Sequence, residues 1–205
     1  MASTLYVETN FLIAYAKGQN PFADTLLDFE LWPFRLAIPN ICIMESLSVL
    51  NNESKSRRDF VEKLRYQIRE IERDRTSSYA RGLQFHLEQA ELAADLVRRD
   101  IENRLSVCLN IICSDVEHCE VIPLDASLVC LSLNSPILED ATDNLILFNI
   151  LNHAVQDNKG PKAFWSENHR DFDRFSATEM LENAGIKYFR KPEAAVGWLR
   201  SQGTS

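Results

Sequence analysis

Short apolar runs rich in strand-forming residues alternate along this chain with segments whose apolar residues recur at helical spacing. The runs cover residues 5–7, 36–38, 121–123, 162–165 and 186–189. Strands that are separated by helices connect through crossovers, so they pair in parallel and the helices cover the faces of the sheet. The sequence therefore predicts an α/β fold, specifically a three-layer α/β/α sandwich with a mostly parallel central sheet.

The segment from residue 53 to residue 119 interrupts this alternation, because it contains no convincing strand. Apolar residues recur through it at helical spacing, and a break is expected near residues 76–78 or at Gly82. We predict two long helices here, which form a helical insertion or hairpin, or a partial lid. The length of 205 residues, 45% of them hydrophobic, suits a single domain that spans residues 1–205.

The charge pattern limits how the chain can meet nucleic acid. A formal net charge of −8 argues against wrapping nucleic acid over the whole surface. Of the 22 Lys and Arg residues, however, twelve lie between Lys55 and Arg104. That stretch is either a solvated helical face or a surface that follows a phosphate backbone.

The sequence predicts neither a membrane span nor a secretory segment. No apolar run approaches the roughly 20 residues that cross a bilayer, and the first residues lack a basic stretch followed by an apolar one. The five cysteines form no Cys-x-x-Cys pair, so we expect reduced thiols in the core. Cys113, His118 and Cys119 could instead bind zinc, but a fourth ligand is missing. We therefore expect a cytoplasmic protein without a membrane partner.

Several acidic residues stand where an open α/β sheet gathers its reactive groups, beyond the carboxyl ends of the strands. Glu8 follows the first run, Glu45 lies in the helix after the second, Asp140 and Asp143 open a later helix, and Asp171 lies past the fourth run. Asp140 and Asp143 share a face at the amino end of their helix, although each could serve only the helix dipole there. Glu45 has apolar neighbours that would bury a lone carboxylate, so we expect it to need a cation.

Carboxylates that converge without a matching His or Cys are the ligand set of an oxygen-preferring ion such as Mg²⁺ or Mn²⁺. Such an ion activates water and stabilises charge on a phosphoryl group, as in phosphodiester hydrolysis. The chain contains no Gly-x-x-x-x-Gly-Lys loop, which argues against a nucleotide-binding P-loop. The acidic set therefore predicts metal-dependent phosphodiester chemistry.

Four segments carry motifs in a characteristic order. They are Leu5-Tyr6-Val7-Glu8-Thr9-Asn10-Phe11-Leu12-Ile13, Ile38-Pro39-Asn40 with Met44-Glu45, Asp143-Asn144-Leu145-Ile146-Leu147, and the stretch from Phe164 to Phe172, followed by Gly185-Ile186-Lys187. These motifs resemble those of the PIN-domain nucleases, the family that includes the bacterial VapC toxins. The resemblance covers nearly the whole chain and implies a PIN-like fold and a metal-dependent endoribonuclease. The family usually has aspartate where this chain has Glu8, and the long helical segment exceeds what a minimal member carries.

Carried over residue by residue, the resemblance implies one acidic metal site. The catalytic and metal-binding set would be Glu8, Glu45, Asp143 and Asp171. Asp140 would be a further ligand of the metal or an acid beside the ligands. Residues that orient the carboxylates or the substrate would be Thr9, Asn10, Ser166 and Asn168. Asn10 could instead serve only as the N-cap of the first helix.

RNA is the substrate that the resemblance implies. The basic residues expected to hold it are Arg57, Arg58, Lys63, Arg65, Arg69 and Arg73. Further partners would be an antitoxin or another protein, or a second copy in a homodimer. Two alternatives to the nuclease stay open: a catalytically weakened PIN-like module that binds RNA or protein, and a small-molecule phosphatase. The phosphatase needs a nucleophilic aspartate after the first strand, where Glu8 stands.

Overall fold

The alternation builds a five-stranded sheet in the computed structural model, which describes residues 3–32, 34–157 and 160–202. The strands are β1 (Ser3–Tyr6), β2 (Phe34–Pro39), β3 (Cys119–Ile122), β4 (Lys162–Trp165) and β5 (Ile186–Phe189), in the order β3-β2-β1-β4-β5. All neighbouring strands pair in parallel. The predicted α/β class with a parallel sheet is confirmed, and each expected strand lies within two residues of its predicted bounds.

Helices connect the strands. They are α1 (Thr9–Lys17), α2 (Pro21–Thr25), α3 (Asn40–Glu72), α4 (Ala80–Ser114), α5 (Ala126–Asn134), α6 (Ala141–Gln156), α7 (His169–Phe172), α8 (Phe175–Asn183) and α9 (Pro192–Gln202), with a 3₁₀ turn at Phe29–Leu31. Helices α4 and α9 pack against strands and α1 lies against α4, while α6 and α8 form a second group that also contacts the strands. This arrangement is consistent with three layers.

The central strands are buried, as a parallel sheet with covered faces requires. Leu5 and Tyr6 in β1 and Phe164 in β4 have no exposed surface. Phe172 of α7 is also fully buried and packs edge-on against Phe164, with ring centroids 5.0 Å apart. This contact fixes α7 just beyond the carboxyl end of β4.

The predicted helical hairpin is present, but its bounds differ from the expected 53–119. Helix α3 runs without interruption from Asn40, because no helix-ending residue occurs near residue 53, and Cys119 already belongs to β3. The side chain of Ser54 hydrogen-bonds Glu102, and Arg65 hydrogen-bonds Glu91, so α3 and α4 run antiparallel. The hairpin therefore grows directly out of the sheet rather than standing as a separate insert.

The break between the two long helices falls where the turn residues predict it. Asp74 accepts hydrogen bonds from the backbone N–H groups of Thr76 and Ser77, which closes the turn, whereas Gly82 lies inside α4. Length alone does not make these helices membrane spans. Within the ranges that the structure describes, no helix is both long and apolar enough to cross a bilayer.

The cysteines are only partly in the core. Cys42, Cys108 and Cys119 are buried free thiols, as predicted, but Cys113 and Cys130 are exposed. The prediction of core thiols is wrong for these two, because each lies on the outer face of an amphipathic helix.

Candidate metal centre at the carboxyl edge of the sheet

The strand order places a crevice between β1 and β4. From β1 the chain moves to β2 and β3 on one side, and it later returns to β4 and β5 on the other side. The loops that leave β1 and β4 therefore diverge, and open α/β sheets bind ligands at such a point. Glu8 follows β1 and Ser166 follows β4, so both side chains start from the rim of this crevice.

Glu8 is buried in the crevice, with 3% of its surface exposed. One carboxylate oxygen accepts a hydrogen bond from the Ser166 hydroxyl at 2.9 Å, and the other accepts one from the backbone N–H of Asn10 at 2.8 Å. Glu8 is thus the N-cap of α1. The interpretation of Asn10 as the cap is wrong, because the extended backbone at Glu8 lets its longer side chain reach that N–H group.

Glu45 reaches the crevice from the second turn of α3. The Thr9 hydroxyl donates a hydrogen bond to its carboxylate, which ties α3 to the start of α1. The expected burial among apolar neighbours is wrong, since Met44 is 63% exposed, Leu47 is also exposed and Glu45 itself is half-buried. Successive residues of a helix point about 100° apart, so these neighbours face solvent while Glu45 faces Thr9.

Asp143 lies in the first turn of α6 and is held by the loop after β4. The side-chain amide of Asn168 donates a hydrogen bond to its carboxylate at 2.8 Å. The backbone N–H of Asn168 donates to the Ser166 hydroxyl at 2.9 Å, and that hydroxyl donates in turn to Glu8. A continuous chain of hydrogen bonds therefore joins Asp143 to Glu8.

Asp140 and Asp171 flank Asp143. Asp140 is exposed and caps α6, where its carboxylate accepts from the backbone N–H groups of Thr142 at 2.8 Å and Asp143 at 3.1 Å. Asp171 is buried in α7, with the guanidinium of Arg174 at 4.0 Å. The capping contacts account for Asp140 structurally, whereas Asp171 is a buried acid beside other acids.

The carboxylates of the crevice repel one another. Burial raises the pKa of Glu8 to about 7, and the charges of Asp143 and Glu45 add to the shift. Burial likewise raises the pKa of Asp143 to about 7, with further contributions from Asp140, Asp171 and Glu45. Within the part of the chain that the structure describes, no Lys or Arg is among the causes of either shift. Neutral hydrogen-bond donors therefore contact Glu8, Glu45 and Asp143, whereas Asp171 has the guanidinium of Arg174 at 4.0 Å.

The carboxylate oxygens of these acids are the kind of ligand that a hard divalent cation prefers. The acids do not, however, surround one point. The acids offer only oxygen donors, which Mg²⁺ and Mn²⁺ prefer. Across residues 3–32, 34–157 and 160–202, however, no three His, Cys, Asp or Glu side chains stand close enough together to hold an ion. Metal binding would require the carboxylates to move closer together than they stand here.

The basic residues predicted to hold RNA lie along the hairpin rather than at the crevice. Arg57, the nearest to Glu45 in sequence, is twelve residues along α3, or about 18 Å, and Arg73 follows the end of the helix. Arg65 pairs with both Glu62 and Glu91 at 2.7 Å. Residues 53–104 contain twelve basic and eleven acidic side chains, so this stretch is close to neutral.

The other members of the predicted set are engaged to different degrees. Arg57 lies 3.9 Å from Glu53, Arg73 lies 2.8 Å from Glu70, and Arg58 donates to Ser54, while Lys63 and Arg69 stand exposed on α3. Paired arginines offer a phosphate backbone less attraction than free ones. The near-equal numbers of acidic and basic side chains favour a solvated helical face over a surface that follows a phosphate backbone.

The predicted acids do not include every charged group at this edge. Glu139 precedes Asp140 and pairs with Arg174 at 2.9 Å, and Arg170 lies 3.9 Å from the same carboxylate. These residues bridge the start of α6 to α7. The spacing of Arg174 three residues after Asp171 was the one signal in the sequence that could have indicated them.

Comparison with known proteins does not identify a family. No protein-family model matches the chain, and no curated protein matches it in sequence. The motifs and the geometry of the crevice are therefore the observations that bear on function.

Ser166→Ala tests the hydrogen-bond chain. We expect the substitution to lower the free energy of unfolding at pH 8 by about 1.5–3 kcal/mol, because the ionised Glu8 loses a buried donor. Urea denaturation measures the change, with the exposed helical variant Ser106→Ala as a control expected within about 0.5 kcal/mol of the parent protein. Equal stability of Ser166→Ala and the parent would show that the Ser166 contact contributes nothing.

Proposed function

We propose that this protein is a divalent-metal-dependent endoribonuclease whose crevice between β1 and β4 holds Mg²⁺ or Mn²⁺. The observation that carries the proposal is that four buried or half-buried acids from separate elements lie near one crevice, close enough for their charges to raise the pKa values of Glu8 and Asp143. The ligands would be Glu8, Glu45, Asp143 and Asp171. Four acids drawn from four elements are more than helix capping or dipole interactions require.

The surrounding polar residues would prepare these carboxylates. Ser166 and Asn168 position Glu8 and Asp143 from the loop after β4, and Thr9 positions Glu45 from the start of α1. A bound divalent ion would supply charge for the phosphoryl oxygens and a more acidic water. Asp140 would keep its cap and act on the site only through its charge.

RNA is proposed over DNA or a small phosphate ester because the motif order resembles that of the PIN-domain nucleases. The phosphatase alternative fits the crevice poorly. Glu8 is buried and both of its oxygens accept hydrogen bonds, so it is badly placed to attack a phosphorus atom. A cytoplasmic location, an antitoxin or other protein partner, and a homodimer stay predictions.

A second candidate function is a PIN-like module that binds RNA or protein without cutting. Two observations favour it: the described acids are not gathered into an ion-holding group, and Glu8, Glu45 and Asp143 are already engaged by neutral donors. The two candidates differ in one respect that can be measured, which is whether added metal produces cleavage.

Metal-dependent cleavage is the direct test. We expect purified protein to cut single-stranded and structured RNA with Mn²⁺ or Mg²⁺, to stop in EDTA, and to recover when excess Mn²⁺ is returned. Electrophoresis of labelled RNA measures it. Intact RNA with both metals, for the parent protein and also for Glu8→Asp, which restores the residue usual in the family, would favour the non-cutting module.

A further inference from the structure

An exposed aromatic ring stands beside the acidic crevice. Phe175, the first residue of α8, is 80% exposed. A connection of two residues separates it from α7, which carries Asp171. Phe172 anchors that turn by its buried contact with Phe164. Phe175 therefore follows an anchored turn at this edge of the sheet, and its side chain is exposed to solvent.

Two arginines accompany this ring. Arg174 immediately precedes it and lies 2.9 Å from Glu139, while Arg170 keeps 82% of its side chain exposed and lies 3.9 Å from Glu139. Arg174 is also 4.0 Å from Asp171. The segment from Arg170 to Phe175 thus carries two guanidinium groups and an exposed ring around Asp171.

An isolated exposed apolar side chain is ordinary on a protein surface. Tyr79 is a second exposed aromatic residue in this protein. Tyr79 is 85% exposed, but it lies between α3 and α4 at the tip of the hairpin. Glu45 lies at the opposite end of α3. Phe175 differs because it directly follows Arg174 in the chain and lies four residues after the buried Asp171. Aromatic rings and guanidinium planes are the surfaces on which proteins stack unpaired bases.

We propose that Phe175 is a stacking platform for one unpaired base of the RNA, and that Arg170 contacts the phosphate next to that base. This inference rests on the proposed nuclease function and specifies its substrate as single-stranded RNA. A base in a duplex already stacks on its neighbours and cannot present its face to a side chain. The stacked nucleotide adjoins the phosphate that is cut, so Phe175 binds the substrate without taking part in the chemical step.

The test compares Phe175→Ala with the parent protein, with Phe175→Trp and with Tyr79→Ala as a matched exposed aromatic. We expect KM for a labelled single-stranded RNA to rise about tenfold in Phe175→Ala, with kcat little changed. The Trp variant should restore KM, and Tyr79→Ala should match the parent. Thermal unfolding should be unchanged in all of them, since Phe175 and Tyr79 are exposed.

An abasic scan locates the contact. Oligonucleotides that lack one base at successive positions should show one position where the missing base raises KM for the parent protein. The same abasic position should have no further effect on Phe175→Ala, because the ring that bound the base is gone. If the missing base and the Phe175→Ala substitution each raised KM by its own factor, so that together they raised it by the product, the proposal would be overturned.

Failure of this inference and failure of the nuclease proposal have different signatures. If the parent protein cuts RNA and Phe175→Ala has the same KM, the stacking platform is wrong and the nuclease proposal stands. If Phe175→Ala leaves KM unchanged but alters the mass of the protein in solution, the ring belongs to a protein interface. If the parent protein neither cuts nor binds RNA with Mn²⁺, both proposals fall.

Discussion

Asp143→Asn is expected to lower metal-dependent RNA cleavage about a thousandfold, which corresponds to about 4 kcal/mol of transition-state stabilisation. The amide keeps the size of the side chain, and its oxygen can still accept the hydrogen bond from Asn168. It loses the negative charge, which strengthens the attraction of a carboxylate for a divalent ion. Activity should therefore fall while the fold is kept.

Single-turnover cleavage with saturating Mn²⁺ measures this loss, and circular dichroism checks the fold. The matched control is Asp59→Asn, an exposed aspartate on α3 about 21 Å along the helix from Glu45. It should cleave at the parental rate. A folded Asp143→Asn variant that retains parental activity would remove Asp143 from the proposed metal site.

The same substitution should stabilise the metal-free protein. At pH 8 we expect Asp143→Asn to raise the free energy of unfolding by about 1–2 kcal/mol, less than the full pKa shift implies because Asp143 is half-buried and partly screened by solvent. The reason is that an ionised Asp143 is half-buried and is repelled by Asp140, Asp171 and Glu45. Loss of activity together with a gain of stability is typical of a functional site and not of a structural acid.

The stability gained by Asp143→Asn should depend on pH in one direction only. An unfolded aspartate titrates near 3.8, whereas burial and neighbouring acids raise the pKa of Asp143 to about 7 in the fold. Between these pH values the folded protein binds more protons than the unfolded chain, so the contribution of Asp143 to stability falls as the pH rises. The advantage of Asp143→Asn should be complete at pH 8, smaller at pH 5, and absent near pH 3.

Urea denaturation in EDTA at these pH values measures the effect, with Asp59→Asn again as the control. At pH 8, added Mn²⁺ should make the parent protein more stable than Asp143→Asn, because the ion stabilises only the protein that binds it. A variant less stable than the parent at pH 8 in EDTA would mean that Asp143 holds the fold together and is not a strained ligand.

The spacing of apolar residues and the order of the strand and helix segments were enough to predict the architecture from the sequence. The five strands and the long helices follow from apolar spacing over many residues, which local exceptions do not disturb. Helices α2 and α7 are only five and four residues long, too short to show a period. The start of the hairpin was placed too late because α3 continues through residue 53 with no ending signal.

The proximity of the acids could be predicted from the sequence, but their contacts could not. Glu8 and Asp171 follow strands, and the carboxyl ends of parallel strands share an edge, so these two acids are expected to approach one another. Asp143 opens α6 instead. Glu8 as a helix cap was not predicted, because glutamate is an uncommon N-cap and the assignment depends on a backbone angle. Phe175 could not be singled out, because an apolar residue in a sequence does not reveal whether it faces the core or solvent.

The most direct test of the metal site is the anomalous scattering of Mn²⁺ in crystals grown or soaked at pH 8. The account predicts one peak between Glu8 and Asp143, with oxygens of at least three of Glu8, Glu45, Asp143 and Asp171 about 2.0–2.3 Å away. Asp143→Asn crystals prepared in the same way should lack that peak. An empty crevice in the parent protein, with Glu8 still bound to Ser166 and Asp143 still bound to Asn168, would contradict the proposal.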